Sequence, residues 1–127
     1  MRKSLVPIGE TEMEILRHVW AMGKASVTDV HERILQYRKV AYTTIMTVMR
    51  NLARKGYLTY DVRGRSYIYR PAVEPEEVKG QILQRLIDKV FNGSPIELVK
   101  TLINTGKLTS SEKEELKKTL EAEEANA

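Results

Sequence analysis

The chain has 127 residues, 42% hydrophobic and 30% charged, with a formal net charge of +4 and no cysteine. That length suits one ordinary domain, or a small domain carrying a helical extension. Absent cysteine excludes disulfides and thiolate metal sites. No run of about 18 apolar residues offers a membrane span, and the opening MRKSLVPIGE lacks a signal peptide's apolar stretch, so a cytoplasmic protein is expected.

The charge is unevenly spread. Residues 1–71 hold 13 Lys/Arg against 6 Asp/Glu, a balance of +7, whereas residues 72–127 hold 8 against 11, a balance of −3. A basic half joined to a mildly acidic one is the footprint of a polyanion binder whose second half does other work.

In chain order, a first helix is expected after Ile8, with Gly9 as N-cap and Glu12 at the third position, favoured by the helix dipole. Met13, Leu16 and Trp20, flanked by Ile15 and Val19, give it a wide apolar face that reads Trp20 as core, and Gly23 stops it. Ser26 with Asp29 is a capping-box variant opening a second helix, whose Val27, Val30 and Ile34 face inward. Residues 37–41 form the turn, and a third helix follows from about Thr43. Ile45, Val48, Met49 and Leu52 recur at helical spacing and make its buried face. The opposite face carries Thr43, Thr47, Arg50 and Arg54, with Thr44 and Met46 beside them. Short hydroxyls at the N-terminal end and arginines further along suit base reading followed by phosphate anchoring.

Gly56 ends the third helix. Residues 57–62 and 65–70 are rich in Tyr, Val and Ile and read as two strands, with Arg63-Gly64 as the turn and Arg63-Gly64-Arg65 as a cationic tip. Tyr67 and Tyr69 share one face of this hairpin and are expected to pack on the third helix. Three helices and a basic hairpin make a winged helix, spanning residues 1–73.

Residues 74–127 read as a helical dimerisation domain. Pro75, Glu76 and Glu77 suit the start of a fourth helix. Its apolar residues Val78, Ile82, Leu83, Leu86, Ile87, Val90 and Phe91 cover well over half the circumference, more than the stripe of about 100° that a monomer's surface helix needs. Asn92-Gly93 ends it. Ser94-Pro95-Ile96-Glu97 opens a fifth helix with Leu98, Val99, Leu102 and Ile103 on its apolar side, and Gly106 closes that. Thr109 to Glu112 is a further capping box, opening a sixth helix sparse in apolar residues (Leu116 and Leu120) whose acidic tail, residues 121–127, is expected to fray. Three short helices hold too little core to stand alone, so a homodimer is expected, with Val78, Ile82, Leu86, Val90, Leu98, Leu102 and Leu116 at its interface. The fold class is thus mainly α, an α+β winged helix followed by helices.

The run AYTTIMTVMRNLARKGYL joined to GRSYIYRP, with Trp20 before it, resembles the BlaI/MecI penicillinase-repressor family, and the likeness extends from about Leu5 to about Leu120. The resemblance implies a homodimeric winged-helix repressor on palindromic operators of TACA…TGTA character. It places Thr43, Thr44, Met46 and Thr47 on bases, Thr43 and Met46 standing where well-known members have basic residues. Tyr42, Arg50, Arg54, Lys55, Arg63 and Arg65 are read as backbone contacts. The resemblance also implies a release that in the family often follows cleavage in the C-terminal domain, triggered by a membrane sensor-protease. Alignment puts that bond at Thr101-Leu102, where the family has Asn-Phe. The copper-responsive mode needs cysteines that this chain lacks.

Catalysis and metal binding are not expected. His18 and His31, the only histidines, fall on separate helices without ligand spacing, and no Gly-rich phosphate loop occurs. No cofactor is expected. Two other readings share the fold: a winged helix used for protein contacts, told apart by failing to bind DNA at low salt, and a regulator released reversibly by an unknown inducer with its chain intact.

Overall fold

The computed structural model describes residues 4–126; Met1, Arg2, Lys3 and Ala127 lie outside them. Helices α1 (Glu10–Met22), α2 (Val27–Leu35) and α3 (Tyr42–Arg54) precede strands β1 (Leu58–Arg63) and β2 (Ser66–Pro71). Helices α4 (Pro75–Val90), α5 (Pro95–Asn104) and α6 (Ser110–Ala125) follow. The chain divides into two compact units, the first ending at Ile82 and the second beginning at Leu83.

Local chemistry sets the boundaries. Glu12 reaches back to the Gly9 amide (3.0 Å), and Ser26 and Asp29 exchange hydrogen bonds at the head of α2. Helix α3 closes with Tyr57 N–H donating to the Leu52 carbonyl and Gly56 N–H to that of Ala53, with Gly56 at φ +89°. This Schellman ending requires the left-handed region at Gly56. It also uses the Tyr57 amide, so β1 starts at Leu58, one residue later than the sequence suggested.

The strands pair antiparallel with Arg63 opposite Ser66, so the two-residue turn is Gly64-Arg65, not Arg63-Gly64. Gly64 has φ +62°, while Asn92 is the one non-glycine at positive φ among the described residues. A turn with positive φ at its first central position alone is of the II′ kind, which matches strand twist. Ala25 adds a bridge on the outer side of β2, its amide and carbonyl each bonded to Tyr69 at 2.8 Å.

One core joins α1, α2, α3 and the hairpin. It contains Ile15, Leu16, Val19, Val30, Ile34, Ile45, Met49, Leu52, Tyr57, Leu58 and Tyr69, with Trp20 and Val48 half-buried against it. Val78 belongs to this core as well, fully buried. That corrects its expected place in a dimer interface: a side chain already packed against its own winged helix has no surface left for a partner. Tyr67 departs from expectation in the other direction. It is 41% exposed and stacks on Tyr60, the ring centroids 4.7 Å apart and the planes 2° from parallel, leaving Tyr69 alone to enter the core.

In the second unit Ile87 is buried, and α5 and α6 bury no residue. Leu86, Val90, Leu102 and Leu116 are exposed and Leu98 half-buried; Ile82, at the end of the first unit, is exposed too. The acidic tail is helical to Ala125, not frayed. The Thr109 capping box starts α6, the Asn126 amide closes on the Ala122 carbonyl, and glutamate and alanine between them favour helix. No helix among the described residues is long and apolar enough to cross a membrane.

Candidate nucleic-acid interface

The exposed face of α3 is built from its cap outward. Ala41 is the N-cap and makes no side-chain hydrogen bond, so the hydroxyls of Thr43 and Thr44 in the first turn are not used to cap the helix. Thr43, Thr44 and Thr47 are exposed, and Met46 beside them is half-buried against the core. Tyr42 stands at the helix start, its ring edge-on to His31 (centroids 5.7 Å apart), whose Nε2 donates to the Val40 carbonyl at 2.7 Å. That contact holds the turn preceding α3.

A groove of about 280 Å³ runs between α3 and the wing. Tyr42, Met46 and Arg50 line one wall, Arg65, Ser66, Tyr67 and Tyr69 the other, and Ser26, Val27 and Thr28 close its end. The site therefore joins three separate stretches of chain. Sequence pattern points to Tyr42, Met46, Arg50 and Arg65 but not to Ser26, Val27, Thr28, Ser66, Tyr67 and Tyr69, because nothing local to those residues shows that they meet. Arg50, Arg63 and Arg65 are exposed, and none is in an ion pair among the described residues. Arg70 is neutralised by Asp61 across the hairpin. Arg54 is exposed and donates to Asn51 Oδ1 at 3.0 Å.

Lys55 is placed otherwise than expected. Its ammonium lies 2.8 Å from Glu12 Oε1 and 3.3 Å from the Pro7 carbonyl, tying the end of α3 to α1. Burial pushes the Glu12 carboxyl up, but the Lys55 hydrogen bond, the Gly9 amide and the Lys55 charge together hold it below its ordinary value. A cation so paired has little left to offer a phosphate, and its role is to hold α3 in position.

A second clamp fixes the turn between α2 and α3. Arg38 grips both oxygens of Glu14 (Nη2–Oε1 2.5 Å, Nε–Oε2 3.2 Å), and Tyr37 Oη donates to the same carboxylate while accepting from His18 Nε2 at 2.9 Å. The Arg38 hydrogen bond, despite opposing burial, brings Glu14 down to about 2 from 4.5. A carboxylate depressed on folding stabilises fully above its unfolded value, and that contribution is lost as pH falls toward the folded one. Thermal melts of native protein and Glu14→Gln should therefore differ at pH 6, converge as pH drops from 4.5, and coincide near pH 2.

The clamps and the groove present an uncapped, acid-free helix face beside a cationic wing. Residues 8–122 match the penicillinase repressor family. The chain belongs to that family. Penicillinase repressors are DNA-binding transcriptional repressors, a non-enzymatic family. Among relatives, the methicillin resistance regulatory protein MecI of Mammaliicoccus sciuri is 27% identical over 113 residues, covering 89% of this chain and 92% of that protein. The transcriptional regulator BlaI of Mycobacterium tuberculosis is 32% identical over 92 residues, 71% of this chain and 67% of the relative. Among solved structures, the monomeric form of Bacillus licheniformis BlaI in complex with the blaP half-operator superposes with a TM-score of 0.50 at 23% identity, over 61% of this chain and 93% of the other. That likeness supports the winged-helix fold. Thr101 and Leu102 lie within α5, and both are exposed.

Proposed function

We propose that this penicillinase-repressor family member binds a palindromic operator as a homodimer, each α3 in the major groove of one half-site and each wing on the neighbouring backbone. The observation that carries the reading is the face of α3, free of acidic side chains, which shares a groove with the Arg65 wing. Thr43, Thr44, Met46 and Thr47 meet base edges, while Tyr42, Arg50, Arg54, Arg63 and Arg65 meet phosphates and set the register. Residues 1–73 bind DNA, and the helices of residues 74–127 pair two copies through Ile82, Leu86, Val90, Leu98, Leu102 and Leu116. Half-sites then fall about one helical turn, roughly 10 bp, apart. An occupied operator overlapping a promoter excludes polymerase, in the cytoplasm and without a cofactor. Release follows a sensor protease or another inducer. Proteolysis at Thr101-Leu102 would first require α5 to unwind, since a helical peptide bond does not present the extended backbone a protease grips.

The test is a titration into a fluorescent duplex carrying TACA…TGTA half-sites, beside a scrambled duplex, at two salt concentrations. A preference of about 10³ or more with a steep salt slope is expected. Arg50→Ala should weaken both duplexes alike and flatten the slope by about 0.9 for each lost phosphate contact. Absence of binding to either duplex at low salt overturns the reading in favour of a protein-contact module.

A further inference from the structure

We propose that α3 selects its operator through the 5-methyl groups of thymine and not through guanine edges, an inference that rests on the repressor reading above. Residues 42–49 read YTTIMTVM. None of them is Arg, Lys, Asn, Gln, Asp or Glu, the residues that read guanine, adenine or cytosine by charged or amide contacts in the major groove. The first such side chain on the helix is Arg50, two turns from the N-terminus, and it lines the groove shared with the wing. Asn51 follows, but its Oδ1 is engaged by Arg54.

What the N-terminal face does present is apolar and hydroxylic. Three exposed threonines each offer a methyl and a hydroxyl, Met46 offers a thioether chain, and Tyr42 a ring. Met46 is held half-buried against the core, so its exposed side is pre-positioned. The one apolar group on a major-groove base edge is the thymine methyl, and its O4 accepts from a threonine hydroxyl. Guanine N7 and O6 against this surface would lose water without gaining a cationic donor.

The experiment selects a duplex from a random pool with the full-length protein, then replaces thymines of the half-sites one at a time by uracil, which removes only the methyl. Each contacted methyl should cost about four-fold in affinity, and about sixteen-fold when both half-sites are changed. In Met46→Ala the penalty at the position facing residue 46 should disappear. Replacing half-site guanines by 7-deazaguanine should change nothing. Selective binding that tolerates every uracil, or that collapses with 7-deazaguanine, overturns the thymine proposal and leaves the repressor reading intact. A pool without any enrichment overturns both.

Discussion

Leu86→Glu is expected to turn the protein into a monomer and to reduce affinity for the full palindrome by about 10²–10⁴, while leaving affinity for a single half-site unchanged. Linking two binding units makes the second event intramolecular, and that range is what the linkage ordinarily contributes. The reason for choosing Leu86 is physical. Among the described residues of the second unit a single side chain, Ile87, is buried, whereas Leu86 is 44% and Val90 60% exposed, with Ile96, Leu102 and Ile103 exposed on α5. An apolar surface of this kind on helices with no core beneath them calls for a cover, and a second copy is the usual one. A glutamate placed there is harmless in the monomer, because the position faces water. In a dimer it would be a desolvated, unpaired charge costing several kcal/mol. Sedimentation equilibrium of both proteins, followed by titration into one- and two-half-site duplexes, gives the answer. Native protein that stays monomeric at concentrations saturating the palindrome would mean that the apolar face has another cover.

The first unit was more legible in the sequence than the second, and the reason lies in the kind of signal. The buried face of α3 repeats every three or four residues, and Ser26, Gly56 and Thr109 announce helix ends by chemistry that acts within a few positions. The threonines, Arg50 and Arg54 are read from that same helical projection, and Arg63 and Arg65 from the glycine turn of the hairpin. Long-range pairings leave no such trace. Lys55 and Glu12 are 43 residues apart, and nothing near either shows that they meet. The Ala25 bridge to Tyr69 is a single pair with no strand pattern around it. Helix α4 was misleading for another reason. Its apolar residues surround most of the helix, so periodicity gave no means of assigning Val78 to the winged helix and Leu86 to solvent. Nor did alternation along β2 distinguish Tyr67 from Tyr69. They share a face, yet Tyr69 is 1% exposed and Tyr67, beside the α3 groove, 41%.

That difference between the two tyrosines carries the other large effect. Tyr69→Ala should destabilise the winged helix by about 3–5 kcal/mol, as truncation of a buried aromatic does, a large part of the 5–15 kcal/mol typical of a domain. Tyr69 is 1% exposed, its backbone pairs with Ala25 on one side and Tyr60 on the other, and its ring meets Tyr60 at 5.4 Å between centroids. With Leu58 of β1, it attaches the wing to the helices. Burial also pushes its phenol up, so the hydroxyl stays protonated throughout the neutral range. The ring, not the hydroxyl, supplies the packing, so Tyr69→Phe should cost under about 1 kcal/mol, whereas Tyr67→Ala, at an exposed position, should cost far less than Tyr69→Ala. Urea unfolding of the three variants separates these cases. Tyr69→Ala should also release the wing that carries Arg63 and Arg65 even under conditions where α3 stays folded, giving a shallower salt slope on operator DNA than the Phe variant. Equal stability of the Ala and Phe variants would show that the wing is held by its backbone bridge to Ala25 and not by the tyrosine ring.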